Sequence, residues 1–90
     1  MRTLKNCSFD FNVRAEAEPQ VVTRILELFA LRSLVPTYFY GRLMDDGGLC
    51  IDISVSGLDI DQASHIAAKV QNIVLVASVI MEKNDFPRTS

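Results

Sequence analysis

Tryptophan is absent from this chain of 90 residues, and cysteine, histidine, proline and glycine are scarce, at two, one, three and four. Cys7 and Cys50 lack the CxxC spacing of a zinc or redox centre, so no metal is expected and the two read as reduced thiols of a cytoplasmic protein. The first residues do not form a charged stretch followed by an apolar one, and no secretory leader is expected. Basic charge is also in short supply. Nine Lys and Arg stand against eleven Asp and Glu, a net charge of −2, which leaves no basic stripe to neutralise phosphates and argues against a nucleic-acid partner. The longest apolar run, residues 73–81, is interrupted by Ser78 and falls far short of the roughly 20 residues a membrane-spanning helix needs.

What is present is a globular composition, 49% hydrophobic and 22% charged. It predicts one domain over 1–90, with a core of about 7–82 and a C-terminal tail, 83–90, expected to fray. A chain of this size buries only about 60 to 65% of the surface its unfolded form exposes, so partner surfaces have room to add stability.

Strict alternation over residues 9–13, with Phe9, Phe11 and Val13 on one side, predicts a half-buried strand. Glu18-Pro19 opens a helix, because proline suits the first helical position. Its inward residues are read as Val22, Ile25, Leu26 and Phe29, with Val21 and Leu28 as surplus apolar surface for a second contact. Pro36 opposes continuation of that helix, and residues 37–43 are rich in aromatic and β-branched side chains, as in a second strand. Asp45-Asp46-Gly47-Gly48 is hairpin chemistry. A third strand over 49–56 then puts Leu49, Ile51, Ile53 and Val55 inward and Cys50, Asp52, Ser54 and Ser56 outward. Asp59 and Gln62 have capping-box spacing at the head of a second helix whose inward stripe is Ala63, Ile66, Ala67 and Val70. Residues 73–81 read as a fourth strand.

The order β-α-β-β-α-β is an α+β, ferredoxin-like sandwich: a four-stranded antiparallel sheet with two helices on one face. Right-handed crossovers put the first and third strands in its centre.

Catalysis requires a nucleophile beside a base, paired carboxylates, or a metal with an open position. His65, the sole histidine, falls on the polar side of the second helix, and Asp45 and Asp46 sit on a turn too short to supply the ligands of a hard cation. No catalytic residue, metal or cofactor is expected; Glu16 and Glu18 in the first loop are the remaining candidates for acid-base work. The outward positions Asp10, Asn12, Asp52 and Ser54 do not suit an RNA-recognition module, which stacks bases on aromatic residues there. The first loop, residues 15–20, has neither the cysteine pair of a copper chaperone nor the glycine-rich anion cradle of an acylphosphatase.

Residues 18–32 resemble the first helix of ACT domains, which typically opens with a Pro-Gly pair and runs as an apolar helix into a second strand. The likeness extends over roughly residues 7–82. Within that family the chain looks most like the small regulatory subunit of acetohydroxyacid (acetolactate) synthase. Arg24-Ile25, Phe29 and Arg32 match a recurrent helix pattern there, and Lys69-Val70 matches a Lys-Leu near the end of the second helix. The resemblance implies a non-catalytic regulatory domain of branched-chain amino acid biosynthesis, with a thiamine-diphosphate synthase as its catalytic large subunit. It also implies an amino-acid effector near Gln20, Val21 and Val35, because helix N-terminal N–H groups attract a carboxylate. The family's loop asparagine falls at Ala17, its glycine at Gln20 and its second-strand Asn-Ile at Val35-Pro36; these departures are closer to subunits that stabilise or activate the synthase without feedback by valine.

The second strand is expected to be an edge that invites pairing, giving a homodimer through Thr37, Tyr38, Phe39 and Tyr40, with Val21 and Leu28 of the first helix beside it. The alternative is a freestanding amino-acid sensor, also dimeric.

Overall fold

The computed structural model describes residues 7–84. In chain order these are β1 (Ser8–Glu16), α1 (Pro19–Ala30), β2 (Tyr38–Leu43), β3 (Gly48–Ser56), α2 (Ile60–Gln71) and β4 (Val76–Asn84). The sheet runs β2-β3-β1-β4, every neighbouring pair antiparallel. This is the ferredoxin-like arrangement, with β1 and β3 central and β2 and β4 at the edges.

The register explains the layering. Phe9 faces Val55, Phe11 faces Ile53 and Val13 faces Ile51, so the apolar residues of both central strands share one side of the pleat. Both helices cover that side. Val21, Ile25 and Phe29 of α1, Ala63, Ile66 and Val70 of α2, and Leu58 complete a single core. Phe11 and Phe29 meet edge to face, ring centroids 5.8 Å apart at 74°, a geometry that adds about 0.5–1.5 kcal/mol beyond area burial.

Helix α1 is rotated relative to the stripe read from sequence. Val21 is 1% exposed and Leu26 40% exposed, so the inward ridge is 21, 25, 29, a strict i, i+4, i+8 row, and Leu26 has exchanged places with Val21. Val21 is therefore a core residue and cannot form an outer dimer contact with its side chain. Pro19 occupies the first turn as expected.

The end of α1 has a feature that composition concealed. The Leu34 N–H donates to the Phe29 carbonyl at 2.9 Å and the Ser33 N–H to the Ala30 carbonyl at 2.9 Å, while Ser33 adopts φ 58°. These are the two bonds and the left-handed residue of a Schellman cap, with serine where glycine is usual. Leu34 folds back against the core beside Phe29.

At the head of α2, the Asp59 side chain accepts from the Gln62 N–H at 2.9 Å and the Gln62 side chain accepts from the Asp59 N–H at 3.1 Å, so the capping box forms. In the β2–β3 turn Gly47 takes φ 89°, and the Met44 N–H donates to the Gly48 carbonyl at 2.8 Å.

The last strand starts later and ends later than the apolar run indicates. The Ile73 N–H donates to the Val70 carbonyl and the Val76 N–H to the Ile73 carbonyl, both at 3.0 Å. Residues 73–75 are thus a turn, not strand, and Val74 in it is 93% exposed. At the other end Lys83 faces Phe9 and Asn84 faces Ser8, so 83 and 84 are paired strand residues and not frayed tail; residues 85–90 lie outside the described residues. A register shift between Arg14 and Ala15 leaves Ala77 without an opposite number. This bulge lets Val76 and Val79, of opposite parity, both turn toward the core.

Two substitutions test these helix ends in opposite directions by urea denaturation. Ser33→Gly is expected to stabilise the fold by about 0.5–1 kcal/mol, since a left-handed conformation costs a non-glycine residue about 1–2 kcal/mol and glycine loses part of that gain to unfolded-state entropy. Asp59→Ala is expected to destabilise it by about 1 kcal/mol.

Candidate functional site

Three regions hold side chains that could meet a ligand or partner: the start of α1, the β2 edge, and the sheet face that the helices leave uncovered.

The start of α1 borders a cavity of about 270 Å³ lined by Gln20, Val21, Arg24, Ile73, Val74 and Leu75. A second hollow of about 220 Å³ continues from it past Glu27, Leu28 and Lys69. The N-cap Glu18 makes no side-chain capping bond, and the first turn of α1 carries no acidic residue. Glu18 nevertheless sets a carboxylate of its own near the positive end of the helix dipole, while Arg24, one turn further on, lines the cavity. The opposite wall is the apolar turn Ile73, Val74, Leu75. The chemistry suits a small molecule with a carboxylate at the helix start and an apolar side chain against the turn, and the volume is near the lower end of ligand pockets.

Of the residues expected at an effector site, Gln20 and Val21 border this cavity, while Val35 is not among its lining residues and is exposed beside the opposite edge. Within one copy the three do not converge. Arg24 and the 73–75 turn were missed because the apolar run 73–81 reads as continuous strand. The signal available was Asn72, a residue suited to ending a helix, directly before it.

Leu28 lines the hollow on the α2 side, with Lys69, Asn72, Ile73 and Val74. That is the flank away from β2, so Leu28 does not stand beside the β2 edge. Leu26, two positions away and on nearly the opposite flank of the helix, is the exposed apolar residue of α1 on the other side. On β2, Phe39 packs against the core, Leu43 is exposed, and Tyr38 and Tyr40 stack on the uncovered face with centroids 6.5 Å apart. Thr37 is tied to β3, its N–H donating to the Ser54 carbonyl at 2.8 Å.

The uncovered face is a hydrogen-bonded polar layer. The Ser54 hydroxyl donates to Asp10 Oδ1 at 2.6 Å, Asn84 Nδ2 to Asp10 Oδ2 at 3.0 Å and Asn12 Nδ2 to Asp52 Oδ1 at 2.6 Å; Ser8 and Ser56 share a bond of 2.9 Å. Sequence alternation predicts Cys50 and Ser54 to be outward and solvated, yet each is only 2% exposed. Their neighbours close over them, with Asn12 Nδ2 3.5 Å from the Cys50 sulfur.

Reactive groups are dispersed. No cluster of three or more His, Cys, Asp or Glu that could hold a metal occurs among the described residues. His65, Glu16 and Glu18 are exposed, and none makes a side-chain hydrogen bond among those residues. No described helix is long and apolar enough to cross a membrane.

A family model described as an ACT-like domain matches residues 2–87. Among solved structures, the chain is similar to the ACT domain from GTP pyrophosphokinase of Chlorobium tepidum, with TM-score 0.71 and 11% identity, covering 83% of this chain and 96% of that one. It is similar to the C-terminal domain of the MgtC protein from Mycobacterium tuberculosis over the whole of both chains, with TM-score 0.72 and 7% identity. A homoserine dehydrogenase from Thiobacillus denitrificans matches with TM-score 0.73 and 15% identity over 91% of this chain, which spans only 19% of that enzyme. At these identities the likenesses concern the fold. No curated protein matches the chain.

A thermal-shift screen of the twenty amino acids reads the α1 cavity directly. An apolar amino acid at 100 times its dissociation constant is expected to add about 2.7 kcal/mol to stability, and Arg24→Ala is expected to remove the shift. A flat response to all twenty leaves the cavity without an amino-acid role.

Proposed function

Because the chain belongs to the ACT-like domain family, whose model covers residues 2–87, we propose that it is a non-catalytic regulatory module that pairs with a second copy along β2 and stabilises or activates a catalytic partner. The observation that carries this reading is the contrast between surfaces: reactive side chains are dispersed, while β2 is an edge strand flanked by exposed apolar residues, Leu43 on the strand and Leu26 on α1. An unprotected edge of this kind pairs readily with another strand, and a two-fold contact would join two sheets into one of eight strands with the α1 helices adjacent. The interface first read as Thr37, Tyr38, Phe39 and Tyr40 keeps its strand residues; on the helix, Leu26 replaces Val21 and Leu28.

The finer reading makes the partner a thiamine-diphosphate synthase of branched-chain amino acid biosynthesis, with this chain resembling its small regulatory subunit. Its support is the α1 pattern Arg24-Ile25, Phe29, Arg32. Ile25 and Phe29 fill the core, and Arg32 Nη1 donates to the Leu28 carbonyl at 3.1 Å near the helix end. Three residues of the pattern therefore serve the fold, and Arg24 is the one that faces a cavity. Ala17, Gln20 and Val35-Pro36 set the chain apart from the valine-responsive type and favour a stabilising or activating role. Action in the cytoplasm accords with Cys7 and Cys50, both free thiols.

The second reading, a freestanding sensor of an apolar amino acid, is favoured by the cavity at Gln20 and Arg24.

Two measurements decide these points. The chain used as bait in its host is expected to retain a thiamine-diphosphate enzyme, and recovery of none removes the finer reading. In light scattering, Leu26→Glu combined with Leu43→Glu is expected to halve the mass of the assembly, since both side chains are exposed in the single copy and their replacement leaves the core intact. An unchanged mass rules out edge pairing.

A further inference from the structure

The sheet face opposite the helices carries a pattern of charge that none of the roles above uses. Read across the sheet from β2 to β4, one row of facing residues is Tyr38, Ser54, Asp10 and Glu82; the next is Tyr40, Asp52, Asn12 and Ile80; the third is Arg42, Cys50, Arg14 and Ser78. Negative charge therefore lies in the first two rows and positive charge in the third, with Glu16 beyond it at the sheet's rim. Arg14 and Arg42 are exposed and their side chains make no hydrogen bond with the described residues, and Tyr40 and Ile80 stand exposed in the middle row.

We propose that this face binds the same face of a second copy, the two stacked about a two-fold axis that runs across the strands through the middle row. That axis reverses the strand direction while keeping β1 over β1, so the arginine row of each copy lies over the acidic row of the other. Arg14 meets Asp10 and its neighbour Glu82, and Arg42 meets the ring of Tyr38, a cation over an aromatic face. Glu16 meets the row of Ser8, Ser56 and Asn84, which can donate to it. In the middle row each residue meets its own copy, Ile80 on Ile80, Tyr40 on Tyr40 and Asp52 on Asp52; the last is a like-charge contact, eased by the Asn12 amide that donates to each Asp52 and outweighed by the two Arg14 contacts with carboxylates. A two-fold axis along the strands would instead lay each row on itself in reverse, with Arg14 over Cys50, Arg42 over Ser78 and Asp10 over Ser54, so only the first arrangement brings an arginine against a carboxylate.

The area is adequate for a specific contact. Four strands about 4.8 Å apart and eight residues long at about 3.3 Å each present a face of roughly 500 Å². Two such faces bury about 1,000 Å², the lower limit for a specific association. Its size and its dependence on charge make the contact weaker than the β2 edge pairing, and the two use different surfaces. A chain that forms both assembles as four copies, two joined sheets stacked face to face.

Light scattering of the full chain across a concentration series, with circular dichroism to verify folding, tests this. Wild type is expected to approach four copies at high concentration. Arg14→Glu is expected to raise the dissociation constant of the face contact by about tenfold or more, leaving two copies held at the β2 edge. The double variant Arg14→Glu with Glu82→Arg is expected to regain the larger assembly, because each new glutamate then meets the partner copy's new arginine. The Leu26→Glu, Leu43→Glu variant, in which edge pairing is removed, is expected to retain pairs through the face, so failure of one contact is read separately from failure of the other. A folded Arg14→Glu chain with wild-type mass at every concentration overturns the proposal, as does a charge-swapped double variant that stays at the mass of Arg14→Glu alone.

Discussion

The pairing of β1 with β3, Phe11 opposite Ile53 and Val13 opposite Ile51, constrains every other element of this protein. These strands occupy the centre of the sheet, and their side chains alternate in phase, so one face is wholly apolar and the other is polar. A slip of one residue would turn Phe9, Phe11 and Val13 to the solvent side and bring Asp10 and Asn12 beneath the helices, which the cost of burying unpaired polar groups forbids. With that register set, α1 and α2 have one surface on which to pack, and each turns its apolar ridge toward it.

The same register creates the second, less obvious layer. On the uncovered face Asp10 meets Ser54 and Asn12 meets Asp52 because they are direct cross-strand partners. Hydrogen bonding within the layer lets Ser54 and Cys50 be shielded from water on a face without helices, since buried polar atoms with partners carry little penalty. What remains accessible on that face is its longer side chains, arginines at one end, carboxylates at the other, and Tyr40 and Ile80 between them.

The topology also separates the surfaces. With the order β2-β3-β1-β4, the β2 edge and the turn that precedes β4 lie on opposite sides of the sheet. The cavity at the start of α1, walled by that turn, is therefore distinct from the edge where a second copy would pair. Arg24 and Leu28 line the first region, while Leu26 is exposed on the other flank of the helix, because neighbouring helical positions project about 100° apart. A single amphipathic helix thereby contributes one flank to the core and the other two to different surfaces.

The order of elements, the central placement of β1 and β3, the in-phase alternation of their apolar residues and the α2 capping box were all legible in the sequence by itself, because each depends on local periodicity, proline and glycine chemistry, or a fixed spacing such as Asp59 to Gln62. The family resemblance rested on the same kind of local signal in α1. Tertiary structure decided the rest. Which of Val21 and Leu26 turns inward depends on where the sheet lies beneath the helix, since both fit an apolar stripe of similar width. Whether residues 73–75 are strand or turn depends on hydrogen bonds to the end of α2, which hydrophobicity does not encode. The inward placement of Val76 requires a bulge whose only cause is the partner strand, and the convergence of Arg24 with the 73–75 turn brings together residues that are distant in the chain and adjacent only once both crossovers have closed.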